Sequence, residues 1–115
     1  MCSSDLGRPT LFIGAVGADD FGREALAALA AAGVDTSAVR RIPEASTGVA
    51  LILVGGDGEN LISVASGANG LLDVATVRDG LRRFGAGPGD VVLVSHEIPT
   101  GTARAALEQI GRAHV

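Results

Sequence analysis

The sequence of 115 residues is poor in several residue types that would indicate particular chemistries. Its single cysteine, Cys2, stands at the extreme N-terminus, so the sequence supports neither a disulfide framework nor thiol chemistry. It contains no lysine, and its formal net charge of −4 argues against a surface that binds nucleic acid. The longest apolar run, Val49–Val54, has the length of a strand and is far short of the roughly 18 to 20 residues that span a bilayer.

The two ends of the sequence are related to each other at the level of DNA. Codons for Ile110–Val115 can be chosen so that their reverse complement encodes Met1–Asp5, with GTG read as the start codon, directly before the codon for Leu6. Two unrelated protein termini have little reason to be reverse complements, and the DNA resembles a sequencing-library adapter. We therefore expect residues 1–6 and 110–115 to be adapter-derived, and we base the fold prediction on residues 7–109.

The first third of these residues predicts a β-α unit. Leu11–Val16 is a short apolar run that ends near glycine, which is typical of a strand buried on both faces. A helix follows, capped by Asp19 or Asp20 and ended by Gly33. Its apolar positions recur at helical spacing and are Phe21, Ala25, Leu26, Leu29 and Ala32.

The central segment changes to β-structure. Val34–Ser37 is predicted to be a loop and Val39–Ile42 a short strand. Thr47–Val54 and Asn60–Ala65 are β-rich runs on either side of the glycine-rich turn Gly55–Gly58, which is typical of a hairpin. Because a hairpin interrupts the β-α alternation, we expect it to leave the main sheet as a small second layer, as lids often do.

The last third returns to alternation. Asp73–Phe84 is predicted to be a helix capped by Asp73, Asp90–Ser95 a buried strand, and Pro99–Leu107 a second helix. Short loops between β-α units predict the α/β class, here part of a doubly wound, mostly parallel sheet. Ligands bind beyond the carboxyl ends of the strands of such sheets, and Glu97 follows the last predicted strand.

Three other interpretations of the polar and glycine residues fail. Gly14, Gly17 and Gly22 do not fit G-x-G-x-x-G, and no G-K-[ST] is present, so the dinucleotide fingerprint and the P-loop are excluded. Ser95–Glu97 cannot form a hydrolase triad, because consecutive residues that leave a strand point to opposite faces. Asp19 and Asp20 are interpreted as helix caps.

Six short motifs cover nearly all of residues 7–109. They are GAVGADDFG at 14–22, GVDTSAV at 33–39, STGVALILV at 46–54, GDGEN at 56–60, GAN at 67–69 and HEIP at 96–99. In this order and spacing they resemble the ribokinase-like (pfkB-type) carbohydrate kinases. The STGVAL pattern followed by GEN and GAN is typical of the ribokinase branch.

The resemblance implies ATP-dependent phosphorylation of D-ribose to ribose 5-phosphate by a cytoplasmic enzyme that uses Mg²⁺ and a monovalent cation such as K⁺. In this interpretation residues 7–109 are a partial kinase domain with a lid hairpin at about 39–66, which also forms a homodimer interface. The implied substrate-binding residues are Glu97, Ala50 and Ile62. The implied partner is a small sugar, with neither nucleic acid nor a membrane involved.

The resemblance also implies that part of the kinase is missing. The family's catalytic base, ATP pocket and cation site would follow Gln109, and its first sugar ligands would precede Gly7, so residues 7–109 alone should be inactive. Two alternatives stay open at this point. One is a related kinase for fructose, a keto-deoxy sugar acid or a nucleoside, and the other is a non-catalytic sugar-binding protein with a kinase-like fold.

Overall fold

The computed structural model describes residues 7–109, so the predictions for residues 1–6 and 110–115 lie outside the described residues. Within residues 7–109, four strands, three α-helices and one 3-10 helix follow one another. In order they are β1 (Leu11–Gly17), α1 (Asp20–Ala31), β2 (Asp35–Ile42), β3 (Val49–Val54), β4 (Asn60–Ala65), the 3-10 helix (Gly67–Leu71), α2 (Val74–Phe84) and α3 (Thr100–Gln109).

Strands β1 and β2 form a parallel pair joined through α1, which is the β-α-β unit that the alternation predicts. Consecutive side chains of a strand point to opposite faces of the sheet. Ala15 belongs to the core cluster that includes residues of α2, whereas its neighbour Val16 lies against Gly22 of α1. Helices α1 and α2 therefore cover opposite faces, and this confirms the α/β, doubly wound class.

The main hydrophobic core lies between the sheet, the 3-10 helix, α2 and α3. Its buried members are Ala15, Ile42, Ala68, Leu72, Val77, Leu81 and Ala106. The buried Thr102 hydroxyl of α3 donates a hydrogen bond to the Leu72 carbonyl oxygen at 2.8 Å. This bond fixes α3 to the start of α2 and satisfies a polar group inside an apolar contact.

The predicted helix caps are confirmed. The Asp19 carboxylate accepts a hydrogen bond from the Gly22 backbone N–H at 2.9 Å, and the Asp73 carboxylate accepts one from Thr76 N–H at 2.7 Å. Each bond satisfies one of the N–H groups that the first turn of a helix leaves without a partner. Of the two candidates for α1, Asp19 is the cap and Asp20 is the first helical residue.

The prediction of a loop at Val34–Ser37 is wrong. Strand β2 already begins at Asp35, and it is the pairing with β1 that extends it: Asp35 lies opposite Leu11 and Ala38 opposite Ile13. Polar residues such as Ser37 are tolerated there because they lie on the exposed side. The second part, Val39–Ile42, is confirmed as strand.

Asp90–Ser95 is not a strand, which corrects a second prediction. Val92 and Val94 pack against the core, whereas Val91 and Leu93 are 83% and 92% exposed, so the alternation of an extended chain is present. A strand also requires a ladder of hydrogen bonds to a neighbour, and β1 is paired only with β2 among the described residues. The segment therefore covers one face of the core without joining the sheet.

The apolar positions of α1 are less buried than their spacing predicts. Leu26 and Leu29 are half-buried, whereas Phe21 is 64% exposed and Ala25 and Ala32 are also exposed. A helix can bury only as much of its face as the neighbouring layer covers. On this side of the molecule the layer consists of two strands.

Candidate functional site

The hairpin brings two of the three predicted sugar-binding residues to one face. Strands β3 and β4 are antiparallel, with Ala50 opposite Val64 and Ile52 opposite Ile62. Residues directly opposite each other, and residues two apart along a strand, share a face. Ala50 and Ile62 are therefore diagonal neighbours on the same surface, which we name the Ala50 face (Ala50, Ile52, Val54, Asn60, Ile62, Val64).

The other side of the hairpin, which we name the Leu51 face, is equally apolar. It consists of Val49, Leu51, Leu53, Leu61, Ser63 and Ala65. All twelve residues of the two strands are exposed. A ribbon that is apolar on both sides has two surfaces to cover, and exposed apolar patches of this kind mark binding sites or protein contacts.

Glu97 lies on a different element, the turn that precedes α3. Its backbone N–H donates to the Ser95 hydroxyl oxygen at 3.3 Å, and its side chain is exposed. The turn follows the Val91–Ser95 segment, so Glu97 stands at the end of that extended run, as the sequence indicates. An exposed carboxylate offers only acceptors and suits a ligand rich in hydroxyl donors.

The point where the hairpin leaves the body, which we name the hairpin root (residues 45–48 and 66–69), is held by Asp19. One carboxylate oxygen, Oδ1, accepts from the Thr47 hydroxyl at 2.5 Å, and Oδ2 accepts from the Thr47 N–H at 2.7 Å. The Thr47 hydroxyl oxygen in turn accepts from Gly17 N–H at 3.0 Å. Directly or through Thr47, one carboxylate thus connects the end of β1, the start of α1 and the first leg of the hairpin (residues 46–48).

These hydrogen bonds lower the pKa of Asp19 below its ordinary value of 3.8. The side-chain bond with Thr47 has the largest effect, followed by the backbone N–H groups of Thr47 and Gly22. Each donor stabilises the ionised carboxylate in preference to the protonated acid. Asp19 is consequently an anion at neutral pH, as its role as an acceptor from three donors requires.

The second leg of the hairpin (residues 66–68) is hydrogen-bonded to the first leg. The Ala68 N–H donates to the Ser46 carbonyl oxygen at 2.8 Å. Gly67 has a φ of +49° there, and a Cβ at this position would stand 2.3 Å from the same Ser46 oxygen. Only glycine fits both the backbone angle and the close approach of the two legs.

The role of Asp19 at the hairpin root is one that the sequence interpretation missed. The sequence predicts a capping role for Asp19, and it presents Thr47 only as part of the STGVAL motif. A signal was present, since GADDFG and STGVAL both belong to the motif set. Their separation of 28 residues gives no indication that Asp19 and Thr47 touch, because the contact depends on how β2 returns the chain to the end of β1.

In residues 7–109, no cluster of three or more His, Cys, Asp or Glu side chains is arranged to hold a metal ion. The helices of the same part of the chain are all too short or too polar to cross a membrane.

Comparison with known proteins decides the family. The model of the pfkB family carbohydrate kinases matches residues 1–113. The chain belongs to this family. Within the family it is similar to ribokinases: it is 39% identical to the ribokinase of Schizosaccharomyces pombe over 102 residues, which are 89% of this chain and 31% of that protein.

Solved ribokinases share the fold. The ribokinase of Giardia lamblia superposes with a TM-score of 0.71 at 31% identity, over 91% of this chain and 34% of that one. An Arabidopsis thaliana ribokinase, whose structure contains ribose and ATP, superposes with a TM-score of 0.66 at 29% identity, over 94% of this chain and 36% of that one. The chain thus spans about a third of the length of these relatives.

Proposed function

We propose that this chain is the sugar-site and lid portion of an ATP-dependent ribokinase that converts D-ribose to ribose 5-phosphate. The observation that carries the proposal is the hairpin with Ala50 and Ile62 on one apolar face, in a chain of the carbohydrate kinase family. Similarity to ribokinases, including one solved with ribose and ATP, favours ribose as the substrate.

Each of the three residues has a distinct part in this proposal. The Glu97 carboxylate accepts hydrogen bonds from sugar hydroxyls and orients the ring. Ala50 and Ile62 cover the apolar face of the sugar and exclude water from it when the hairpin closes as a lid. None of the three acts as the base. The group that takes the proton of the attacking hydroxyl is proposed to lie in a part of the kinase that this sequence does not include.

Phosphoryl transfer depends mainly on positioning and on stabilisation of charge, so the cofactors matter. ATP is the proposed phosphoryl donor, with Mg²⁺ at its phosphates and a monovalent cation such as K⁺ nearby. As the family resemblance implies, most of the residues that hold these cations are proposed to lie in the remainder of the kinase. A cytoplasmic location belongs to the same proposal.

The Leu51 face gives the hairpin a second role in this proposal. If the Ala50 face covers the sugar, the Leu51 face remains apolar and exposed. We propose that a second copy covers it, so that the kinase is a homodimer through its lids. Replacing Leu53 by Asp on that face should then convert dimers to monomers in light scattering, whereas Glu59→Gln in the hairpin turn should not.

The substrate is tested with the full-length kinase that contains this sequence. ATP consumption would be followed with ribose, fructose, a keto-deoxy sugar acid and adenosine, with Mg²⁺ and with or without K⁺. We expect ribose to be preferred. Preference for another substrate would keep the family and overturn ribose, and turnover of none would favour a sugar-binding protein.

Glu97 is tested in the same assay. Replacing Glu97 by Ala should raise the KM for ribose about ten- to a hundredfold, the range that corresponds to hydrogen bonds with a charged group. Glu59→Ala, which removes another exposed carboxylate, from the hairpin turn, is the matched control. Equal effects of the two substitutions would remove Glu97 from the site.

A further inference from the structure

The hairpin is connected to the body by two short legs that differ in how they are held. Residues 46–48 form the first leg, and its Thr47 is bound on both its N–H and its hydroxyl by Asp19 of the body. Residues 66–68 form the second leg, which is hydrogen-bonded to the first through Ser46. The orientation of the whole hairpin relative to β1 and α1 therefore depends on the Asp19–Thr47 contact.

Each leg contains a glycine close to its strand. Gly48 comes directly before β3, and Gly67 lies two residues after β4, beside Ser46 and Gly48. Beyond these glycines, both strands are exposed along their full length and are held mainly by each other. Restraint is thus concentrated at the root, and the part of the hairpin that carries Ala50 and Ile62 lies beyond it.

We propose that Asp19 and Thr47 are positioning residues for the sugar site. Their contact is the pivot, that is, the anchored point about which the hairpin turns when it closes. The inference rests on the proposed function in one respect, namely that the hairpin is the lid. Neither residue needs to touch the sugar. Their effect is transmitted through the direction in which β3 leaves the body, which decides whether the Ala50 face meets the sugar.

The position of Asp19 also explains why a carboxylate is needed. Helix capping alone needs one acceptor, and Asn fills that role as well as Asp. Asp19 accepts from Thr47 N–H with its second oxygen, and an amide would place an NH₂ donor against that N–H donor or lose one of the other bonds. Replacing Asp19 by Asn therefore preserves the start of α1 and disrupts the pivot.

The first experiment compares Asp19→Asn with Asp20→Asn in the full-length kinase. Asp20 is the adjacent acid, exposed and ion-paired with Arg23 within α1, so it is a matched control whose carboxylate binds Arg23 and not Thr47. We expect Asp19→Asn to raise the KM for ribose on the order of tenfold, the loss of one hydrogen bond to a charged group. We expect kcat to change less than about threefold. Once ribose is bound and the hairpin is closed, the groups that perform phosphoryl transfer are the same as in the wild type.

A second pair of variants acts on the partner side chain. Thr47→Val removes the hydroxyl at nearly constant shape, and Thr47→Ser keeps it, so Val should reproduce the Asp19→Asn effect and Ser should restore the wild-type KM. Should Asp19→Asn fail to fold, this pair decides the question by itself. Amide hydrogen exchange of residues 47–65 is measured in parallel, and it should be faster in Asp19→Asn and Thr47→Val only.

The outcomes distinguish failure of the pivot proposal from failure of the proposed function. A rise in KM and in hairpin exchange that Thr47→Ser abolishes supports the pivot. KM and exchange equal to those of Asp20→Asn would overturn it, and so would a fall in kcat at unchanged KM. A wild-type enzyme that does not phosphorylate ribose would refute the proposed function, and hairpin exchange in the Val and Ser variants would then decide the pivot without any substrate.

Discussion

The α/β body and the hairpin contain similar apolar side chains, yet they bury them to opposite extents. Leu81 of α2 is 6% exposed, whereas Leu53 of β3 is 66% exposed. The body surrounds its sheet with helices on both faces, and the hairpin has no second layer among the described residues. Burial therefore depends on a neighbouring layer as much as on the side chain, and a lone two-stranded hairpin does not supply one.

The largest effect is expected when residues 7–109 are expressed alone. Both faces of the hairpin are apolar and exposed, so this piece should aggregate or remain molten. The double replacement Leu51→Glu and Leu53→Glu should raise the soluble yield severalfold. Ala28→Glu with Ala31→Glu on the exposed side of α1 adds the same charge elsewhere and should not. A sharp, cooperative unfolding transition of the unmodified piece would contradict the expectation.

The next effect contrasts a single leucine in each region. Leu81→Ala should lower the free energy of unfolding by about 2 to 5 kcal/mol, because it opens a cavity in the core. Leu53→Ala in monomeric protein should cost less than about 0.5 kcal/mol, as exposed positions do. Thermal and denaturant unfolding of the full-length kinase, at concentrations where light scattering shows monomers, would measure both. Equal losses would mean that the hairpin is covered in the monomer, and the difference between the regions would vanish.

Acid should destabilise the body and the hairpin root by protonating Asp19, Asp35 and Asp73. Hydrogen bonds lower the pKa of each: from Thr47 for Asp19, from Ser37 for Asp35 and from Thr76 for Asp73. A lowered folded-state pKa contributes stability that is present above the unfolded value of 3.8 and is lost as the pH falls through the folded value.

The melting temperature should accordingly fall as the pH is lowered from about 5 to below about 3. Asp19→Asn and Asp73→Asn should each flatten this dependence, because the substituted side chain no longer titrates. An unchanged slope in both variants would remove these carboxylates from the acid response.

The smallest effect concerns the surface of the body. Arg40 of β2 and Asp73 at the start of α2 form a half-exposed ion pair at 2.6 Å. Arg40→Ala should cost at most about 1 kcal/mol, since exposed pairs contribute little. Asp73→Ala also removes the helix cap and should lower the melting temperature further than Arg40→Ala does. Asp73→Asn keeps a capping side chain and should resemble Arg40→Ala in thermal unfolding.

Local sequence patterns are sufficient to predict those structural features whose physical cause is local. The glycine-rich turn Gly55–Gly58 between two β-rich runs predicts the hairpin, and the structure confirms it at Val49–Val54 and Asn60–Ala65. Asp73 before a helical apolar stripe predicts the start of α2. Capping and turn formation involve residues a few positions apart, so the chain carries their signals in short windows.

The tertiary structure alone decided what depends on distant partners. Val91–Ser95 has the composition of a strand but no ladder, and Asp35–Ser37 lacks that composition but joins β2 because β1 lies beside it. Asp19 meets Thr47 only because the β-α-β unit brings the chain back to the end of β1. Such contacts join residues about 30 positions apart, and their free energy exists only once the sheet and helices have packed.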